Sequence, residues 1–315
     1  YQRYTYDMVG PAPTLPGILG ASAPKINNAD MKSYGWEMEL SWRDRIEDFN
    51  YGVRFTLADG QRKVLKYPNE SGDIYSWYNN KLDGTIWGYT TVGIAQTQEE
   101  MDAHLANNKP NWGSNWGAGD IMYADLNGDG EVTSGSKTLN DHGDLKVIGN
   151  SYARYNFGFT VDGSWRGLDF SIFLQGTMKR DYWLDGPYFW GASGDEWQSA
   201  CFTEHLDYWT PEHTNAYYPK PYFGNIKKNQ EVQSGYLQNA AYLRVKNVQV
   251  GYTLPKSWTK KAAMESVRFY VSGDNLLTWT GISSIFDPET LGGDWGPGKL
   301  YPLQRTLSVG VNVNF

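Results

Sequence analysis

The stretch Asp125-Leu126-Asn127-Gly128-Asp129-Gly130-Glu131-Val132 places oxygen-bearing side chains at every second residue, as in the first half of a calcium-binding loop. Asp125, Asn127 and Asp129 supply the first three ligands, and Gly130 permits the sharp turn. Glu131 offers its backbone carbonyl at position seven. Position twelve is Ser136 rather than a bidentate acid, so Asp141 or Asp144 is expected to complete the shell around a structural Ca2+. The competing reading is an Asx-rich turn without metal, because Asn-Gly-Asp-Gly is strong turn chemistry by itself.

A second group of residues is built for contact rather than reaction. Trp183, Tyr188, Phe189, Trp190 and Trp197 are followed by Tyr208 and Trp209, then by Tyr217, Tyr218, Tyr222 and Phe223. Flat apolar faces flanked by Asp, Asn and Arg suit sugar rings or extended peptides. Trp183, Tyr188, Trp190, Trp197, Tyr208 and Trp209 are the candidate ligand contacts, although most aromatics in so long a loop are expected to pack it internally. Catalysis finds less support. Asp195, Glu196, Glu204 and Asp207 share the loop and could form a glycosidase pair, yet no spacing singles out two of them. His104, His142, His205 and His213 form no metal pair, Cys201 has no signature around it, and no phosphate-cradling glycine loop is present. The reading is therefore a protein that is not an enzyme.

The elements that must hold these residues are β-strands. Trp36, Met38, Leu40 and Trp42 alternate with Glu37, Glu39, Ser41 and Arg43, so one face is apolar and the other polar. After a turn at 44–48, Phe49, Tyr51, Val53, Phe55 and Leu57 alternate with Asn50, Gly52, Arg54, Thr56 and Ala58. The pattern returns at Tyr155–Val161, and after a turn at 163–167 it continues through Leu168, Phe170, Ile172 and Leu174. Further strands are expected near Tyr242–Leu254 and Val267–Asn275. The last is the cleanest: Leu307, Val309, Val311, Val313 and Phe315 face one way, and Thr306, Ser308, Gly310, Asn312 and Asn314 the other.

Connections alternate between short (44–48, 163–167, 255–266) and long (59–152, 177–239, 276–302). Outer-membrane barrels have this rhythm, with short periplasmic turns and long external loops. A secreted all-β domain is the alternative, but it would need a second sheet to cover every apolar face. Composition agrees with strands: 14 Trp, 23 Tyr and 12 Phe accompany 35 Gly among 315 residues. No run of about 18 apolar residues exists to form a membrane helix, which does not exclude a barrel. A net charge of -7 argues against nucleic acid.

Several stretches resemble the C-terminal region of SusC/RagA-type TonB-dependent outer-membrane transporters. They are Gly-Trp-Glu-Met-Glu-Leu-Ser-Trp (35–42), Asp-Leu-Asn-Gly-Asp-Gly (125–130), Arg-Tyr-Asn-Phe-Gly (154–158) and Leu-Asp-Tyr-Trp-Thr-Pro-Glu (206–212). Leu-Arg-Val-Lys-Asn (243–247), Gly-Tyr-Thr-Leu-Pro (251–255), Val-Ser-Gly-Asp-Asn-Leu (271–276) and the closing Phe315 complete the set. The resemblance implies that residues 1–315 form the C-terminal part, about eight antiparallel strands, of a 22-stranded transmembrane β-barrel with long extracellular loops. It also implies an integral outer-membrane location, a SusD-like lipoprotein partner, and TonB acting through a plug absent from this chain. The ligand would be an oligosaccharide or a peptide, with the loop aromatics leaning toward glycans; a non-transporting adhesin barrel is the alternative. Eight strands alone would leave two open edges in lipid, so the remaining N-terminal barrel and plug are expected to come from elsewhere.

Overall fold

The computed structural model describes residues 1–12, 15–20, 23–191, 201–222, 228–292 and 296–315. Alternating β-branched and aromatic residues build one meandering antiparallel sheet. Its strands are β1 (Gln2–Gly10), β2 (Ile26–Ile46), β3 (Phe49–Lys66), β4 (Arg154–Trp165), β5 (Leu168–Lys179), β6 (Gln238–Thr253), β7 (Ser266–Gly281) and β8 (Thr306–Asn314). Each pairs with its sequence neighbours, so spatial order follows chain order and β1 and β8 lie at the edges. The β4–β5 turn is only Arg166-Gly167, both at positive φ (46° and 92°), which matches the twist of the flanking strands. Residues 47–48 join β2 to β3 as tightly, with Glu47 at φ 52°.

Register carries the two-faced pattern across the whole sheet. Leu40 lies opposite Phe55, Phe55 opposite Phe159, Phe159 opposite Leu174, Leu174 opposite Val245 and Val245 opposite Leu277. Toward the short-turn end, Phe170, Val250, Val271 and Val309 form a second such row. A one-residue slip anywhere would drop a strand out of both rows, so the pattern fixes the register. None of the described residues covers this surface. In β8, Leu307 is 74% exposed and Val309 82%, and Phe315 just beyond it is 90% exposed. An apolar band of that width facing water would be untenable; facing lipid, it is what a barrel wall requires.

The opposite face is polar and internally paired. Arg54 meets Glu39 at 3.0 Å, Arg43 meets Asp162 at 3.3 Å, and Arg268 meets Asp169 at 2.5 Å. These are cross-strand partners suited to a wet interior.

The strands run further than their clean alternation suggested. β2 begins at Ile26 and β3 continues to Lys66, well past the segments expected from sequence. The three long connections shrink to 67–153, 180–237 and 282–305, and their described parts are folded. They share one apolar core: Ile74, Tyr89, Tyr123 and Val132 from the first, Leu184, Phe189, Trp190, Tyr218 and Tyr236 from the second, Phe286 and Leu291 from the third. Short ladders stiffen the first connection, pairing Thr85–Gly88 with Lys146–Asn150 and Thr91–Ile94 with Ile121–Tyr123. It also carries a helix, α1 (Gln98–Leu105), capped by Thr97 Oγ1 accepting from the Glu100 amide at 3.1 Å.

Candidate functional site

Where the first two long connections meet, a cleft of about 480 Å³ opens to the outside. Tyr208, Trp209 and Tyr222 line it with aromatic faces, while Gln98, Asn115 and Lys220 supply polar groups. Its floor is set by backbone pairing. The Trp209 amide donates to Tyr218 O at 2.9 Å, and the Lys220 amide donates to Gly119 O at 2.8 Å, laying the 207–220 segment across residues 117–120. Trp209 Nε1 donates to Gln96 Oε1 at 3.3 Å, which fixes the ring in its plane.

Beneath the cleft lies a buried polar network. Lys228 Nζ sits 2.6 Å from Asp120 Oδ2 and donates to Asn115 O at 2.6 Å. Its ammonium lies 4.2 Å from the Tyr222 ring centroid and 5.3 Å from that of Trp116. The other Asp120 oxygen accepts from Asn229 Nδ2 at 2.9 Å, and Gly117 N donates to Oδ2 at 2.8 Å. Ions at such depth persist only when paired and hydrogen-bonded, and here both conditions are met. Burial, then the Asp120 carboxylate, pushes the Tyr222 phenol above its usual range, so Tyr222 presents a neutral hydroxyl at physiological pH. The arrangement can grip and orient a ligand; among the described residues no nucleophile with an adjacent base lines the cleft.

The six aromatics singled out from sequence separate into different roles. Tyr208 and Trp209 line the cleft, Tyr208 exposed and Trp209 with only 5% of its surface accessible. Trp190, 7% exposed, packs against Phe189, Tyr218 and Tyr236 in the shared core. Trp183 packs beside it, with ring centroids 5.9 Å apart. Tyr188 stacks on Phe202 at 5.8 Å. Trp197, with Asp195 and Glu196, lies outside the described residues. Glu204 accepts from Ser284 and Asp207 pairs with His213 at 2.8 Å, so these two acids hold loop contacts. Sequence reasoning missed Gln98, Asn115, Lys220, Asp120 and Lys228. Thr97-x-x-Glu100 is a capping-box signature that marks α1 and so places Gln98 on an ordered element. Nothing in the sequence pairs Asp120 with Lys228.

The Asp125–Glu131 segment closes on its own backbone. Asp125 Oδ1 accepts from the Gly128 amide at 2.7 Å and Oδ2 from the Gly130 amide at 2.8 Å. Asp129 Oδ1 accepts from Glu131 N, and Asn127 Oδ1 from Asp129 N, both at 2.9 Å. These donors hold the exposed Asp125 carboxyl below the usual carboxylate range, the Gly130 amide contributing most. Asp144 is buried behind the turn and accepts from Leu126 N at 2.6 Å and Thr133 N at 2.7 Å. Asp141 belongs to a separate turn, where Ser136 N and Oγ donate to it at 2.9 and 2.5 Å. Asp125, Asn127 and Asp129 thus share one turn, with Asp141 apart. Among the described residues, no three His, Cys, Asp or Glu side chains converge as a metal shell.

No family model matches the chain. Curated relatives do, along its whole length. The TonB-dependent receptor P3 of Formosa agariphila is 26% identical over 345 residues, an alignment covering all of this chain and 32% of the relative. The TonB-dependent receptor SusC of Bacteroides thetaiotaomicron is 22% identical over 330 residues, covering all of this chain and 29% of SusC. Among solved structures, the RagAB peptide importer in its open-open state superposes with a TM-score of 0.71 at 22% identity, over all of this chain and 32% of that one. The chain therefore spans about a third of the length of the relatives it matches. With fold, lipid-facing band and similarity along this chain's whole length in agreement, the chain fits a C-terminal fragment of the integral outer-membrane β-barrel of SusC/RagA-type TonB-dependent receptors.

Proposed function

We propose that this chain forms wall and external ligand-gripping loops of a transporter that imports large nutrients across the outer membrane. The observation that carries this reading is the union, in one sheet, of a lipid-facing apolar band, an ion-paired polar face and a folded loop body bearing an open aromatic cleft. Ligand is captured by the loops and passes inward when TonB acts on a plug carried by the rest of the protein. A SusD-like lipoprotein covers the loops from outside; the similarity to SusC and to a RagAB transporter supports such a partner.

The proposed ligand is an oligosaccharide. Ring faces of Tyr208, Trp209 and Tyr222 beside the amides of Gln98 and Asn115 match the alternating apolar and hydroxylated surfaces of a sugar chain. A peptide is the second reading, favoured by the similarity to a peptide importer. Uptake of labelled oligosaccharides and peptides by cells carrying the full-length gene, with and without TonB, tests both. TonB-dependent uptake of glycans that drops several-fold in Trp209→Ala is the expected outcome, since losing one stacked ring costs about 0.5–1.5 kcal/mol. Uptake of peptides alone would replace the glycan reading, and binding without uptake would make the protein an adhesin.

A structural calcium ion at the Asp125–Glu131 turn belongs to the same proposal. The side-chain oxygens of Asp125, Asn127 and Asp129 and the Glu131 carbonyl are hard donors of the kind calcium takes. Held there, the ion would tie the turn together without joining in transport.

A further inference from the structure

The short-turn end of the barrel carries a second feature that transport does not use. β6 and β7 are joined by a turn with two helical pieces, Lys256–Thr259, which packs against β7, and Lys260–Ala262, which packs against the first. The connection, residues 254–265, contains Lys256, Lys260 and Lys261 against a single acid, Glu265 at its far end. All three lysines are exposed, and none makes an ion pair among the described residues. The neighbouring short turns differ: Arg166 is neutralised by Asp48 at 3.0 Å. Between the lysines stands Trp258, 63% exposed. Thr259 behind it is buried, and its hydroxyl donates toward Glu265 O and Lys256 O at 3.4 Å, fixing which side chains point outward.

The segment continues the lipid-facing band. Tyr252 and Phe269 are opposite one another at the adjoining strand ends, and Phe269 lies opposite Val311 in turn. Tyr252, Phe269 and Val311 are exposed, and Val267, the next residue along that face of β7, is buried. Tryptophan prefers the boundary between acyl chains and headgroups, and lysines beside it reach the phosphates.

We propose that the 255–262 turn is a headgroup clamp that binds anionic phospholipid in the periplasmic leaflet, with Trp258 seated at the acyl boundary and Lys256, Lys260 and Lys261 on phosphate. The choice of leaflet rests on the transporter reading, which turns the short connections toward the periplasm. The clamp would set the depth of β6 and β7 in the bilayer while their far ends carry the folded loops.

The test uses the full-length receptor in nanodiscs of phosphatidylglycerol or phosphatidylcholine containing acyl-brominated lipid. The fluorescence of Trp258, taken as wild type minus Trp258→Phe, is expected to be at least half quenched. Phosphatidylglycerol retained through purification is expected to fall roughly a hundredfold in the Lys256→Glu, Lys260→Glu, Lys261→Glu variant, as each lysine near an anionic surface contributes about fivefold. An unquenched Trp258, or equal retention by variant and wild type, overturns the clamp while leaving the barrel intact. Failure of the wild-type receptor to enter a bilayer at all overturns the barrel reading and the clamp with it.

Discussion

Gly119 shows how one residue shapes the cleft. Its φ of 88° lies where side chains with a Cβ are strained, and a Cβ there would come within 2.4 Å of Trp209 Cε3. Gly119→Ala must therefore shift the Trp209 ring or the 207–220 segment. Ligand affinity is expected to weaken about tenfold in that variant, with thermal unfolding of the barrel wall unchanged; equal affinity would remove Trp209 from the binding surface. Asp125 makes a different claim at the same scale. Its carboxyl is held below the ordinary range by amide hydrogen bonds, so the stability it gives is fully present above the unfolded-state value near 3.8 and is lost as pH falls through the lower folded value. Amide exchange at Gly128 and Gly130 is expected to stay protected through mildly acidic pH and to open only below the usual carboxylate range. In Asp125→Asn those amides should exchange fast at any pH, and saturating calcium should slow exchange only in the wild type. Indifference of the wild type to calcium would leave the turn metal-free.

Among the elements, the third long connection is held to the wall by charge. Arg244 on β6 donates to Asp287 at 2.8 Å and to Glu289 at 2.9 Å, and Lys246 reaches Glu289 at 3.0 Å. Arg244 Nε also donates to Thr278 Oγ1 at 2.8 Å, and Arg180 donates to Pro288 O at 3.2 Å. The Arg244 side chain is almost fully buried, so deleting it strands Asp287, leaves Glu289 with Lys246 alone, and costs about 3–5 kcal/mol locally. Limited proteolysis is expected to cut the 282–292 segment in Arg244→Ala and to spare it in wild type; equal resistance would mean that Phe286 and Leu291 anchor the segment by themselves. This latch also marks where sequence stops being legible. Strand identity and register were readable because lipid on one side and water on the other write period two into Trp36–Trp42 and Leu307–Phe315. That contrast fades where β2 and β3 rise past the membrane, so their outer halves looked like loop. Inside the long connections the partners are distant in sequence: Arg244 with Asp287, Asp120 with Lys228, Trp190 with Tyr236. No local periodicity records such pairs, which is why buried Trp190 and cleft-lining Trp209 looked alike.

For the molecule as a whole, the outer band and the two sheet edges make one argument. Each residue in the Phe170–Val250–Val271–Val309 row presents an apolar side chain outward, and among the described residues β1 and β8 each have a flank with no strand beside it. Unpaired backbone amides and carbonyls cannot face hydrocarbon, so in the membrane those flanks must be paired by further strands of the receptor. Val309 lies close to one such flank and faces lipid, where arginine at the midplane costs about 2–4 kcal/mol. In the full-length receptor, Val309→Arg is expected to reduce the folded, heat-modifiable band on unheated gels several-fold. Ser308→Arg, one residue along and on the polar face, should leave it nearly unchanged. Residues 1–315 expressed alone should give no such band, because the arc has nothing to close against. Equal assembly of the two arginine variants would reverse the face assignment, and a 315-residue chain that stayed monomeric in water without detergent would mean its apolar band is covered from within and never meets lipid.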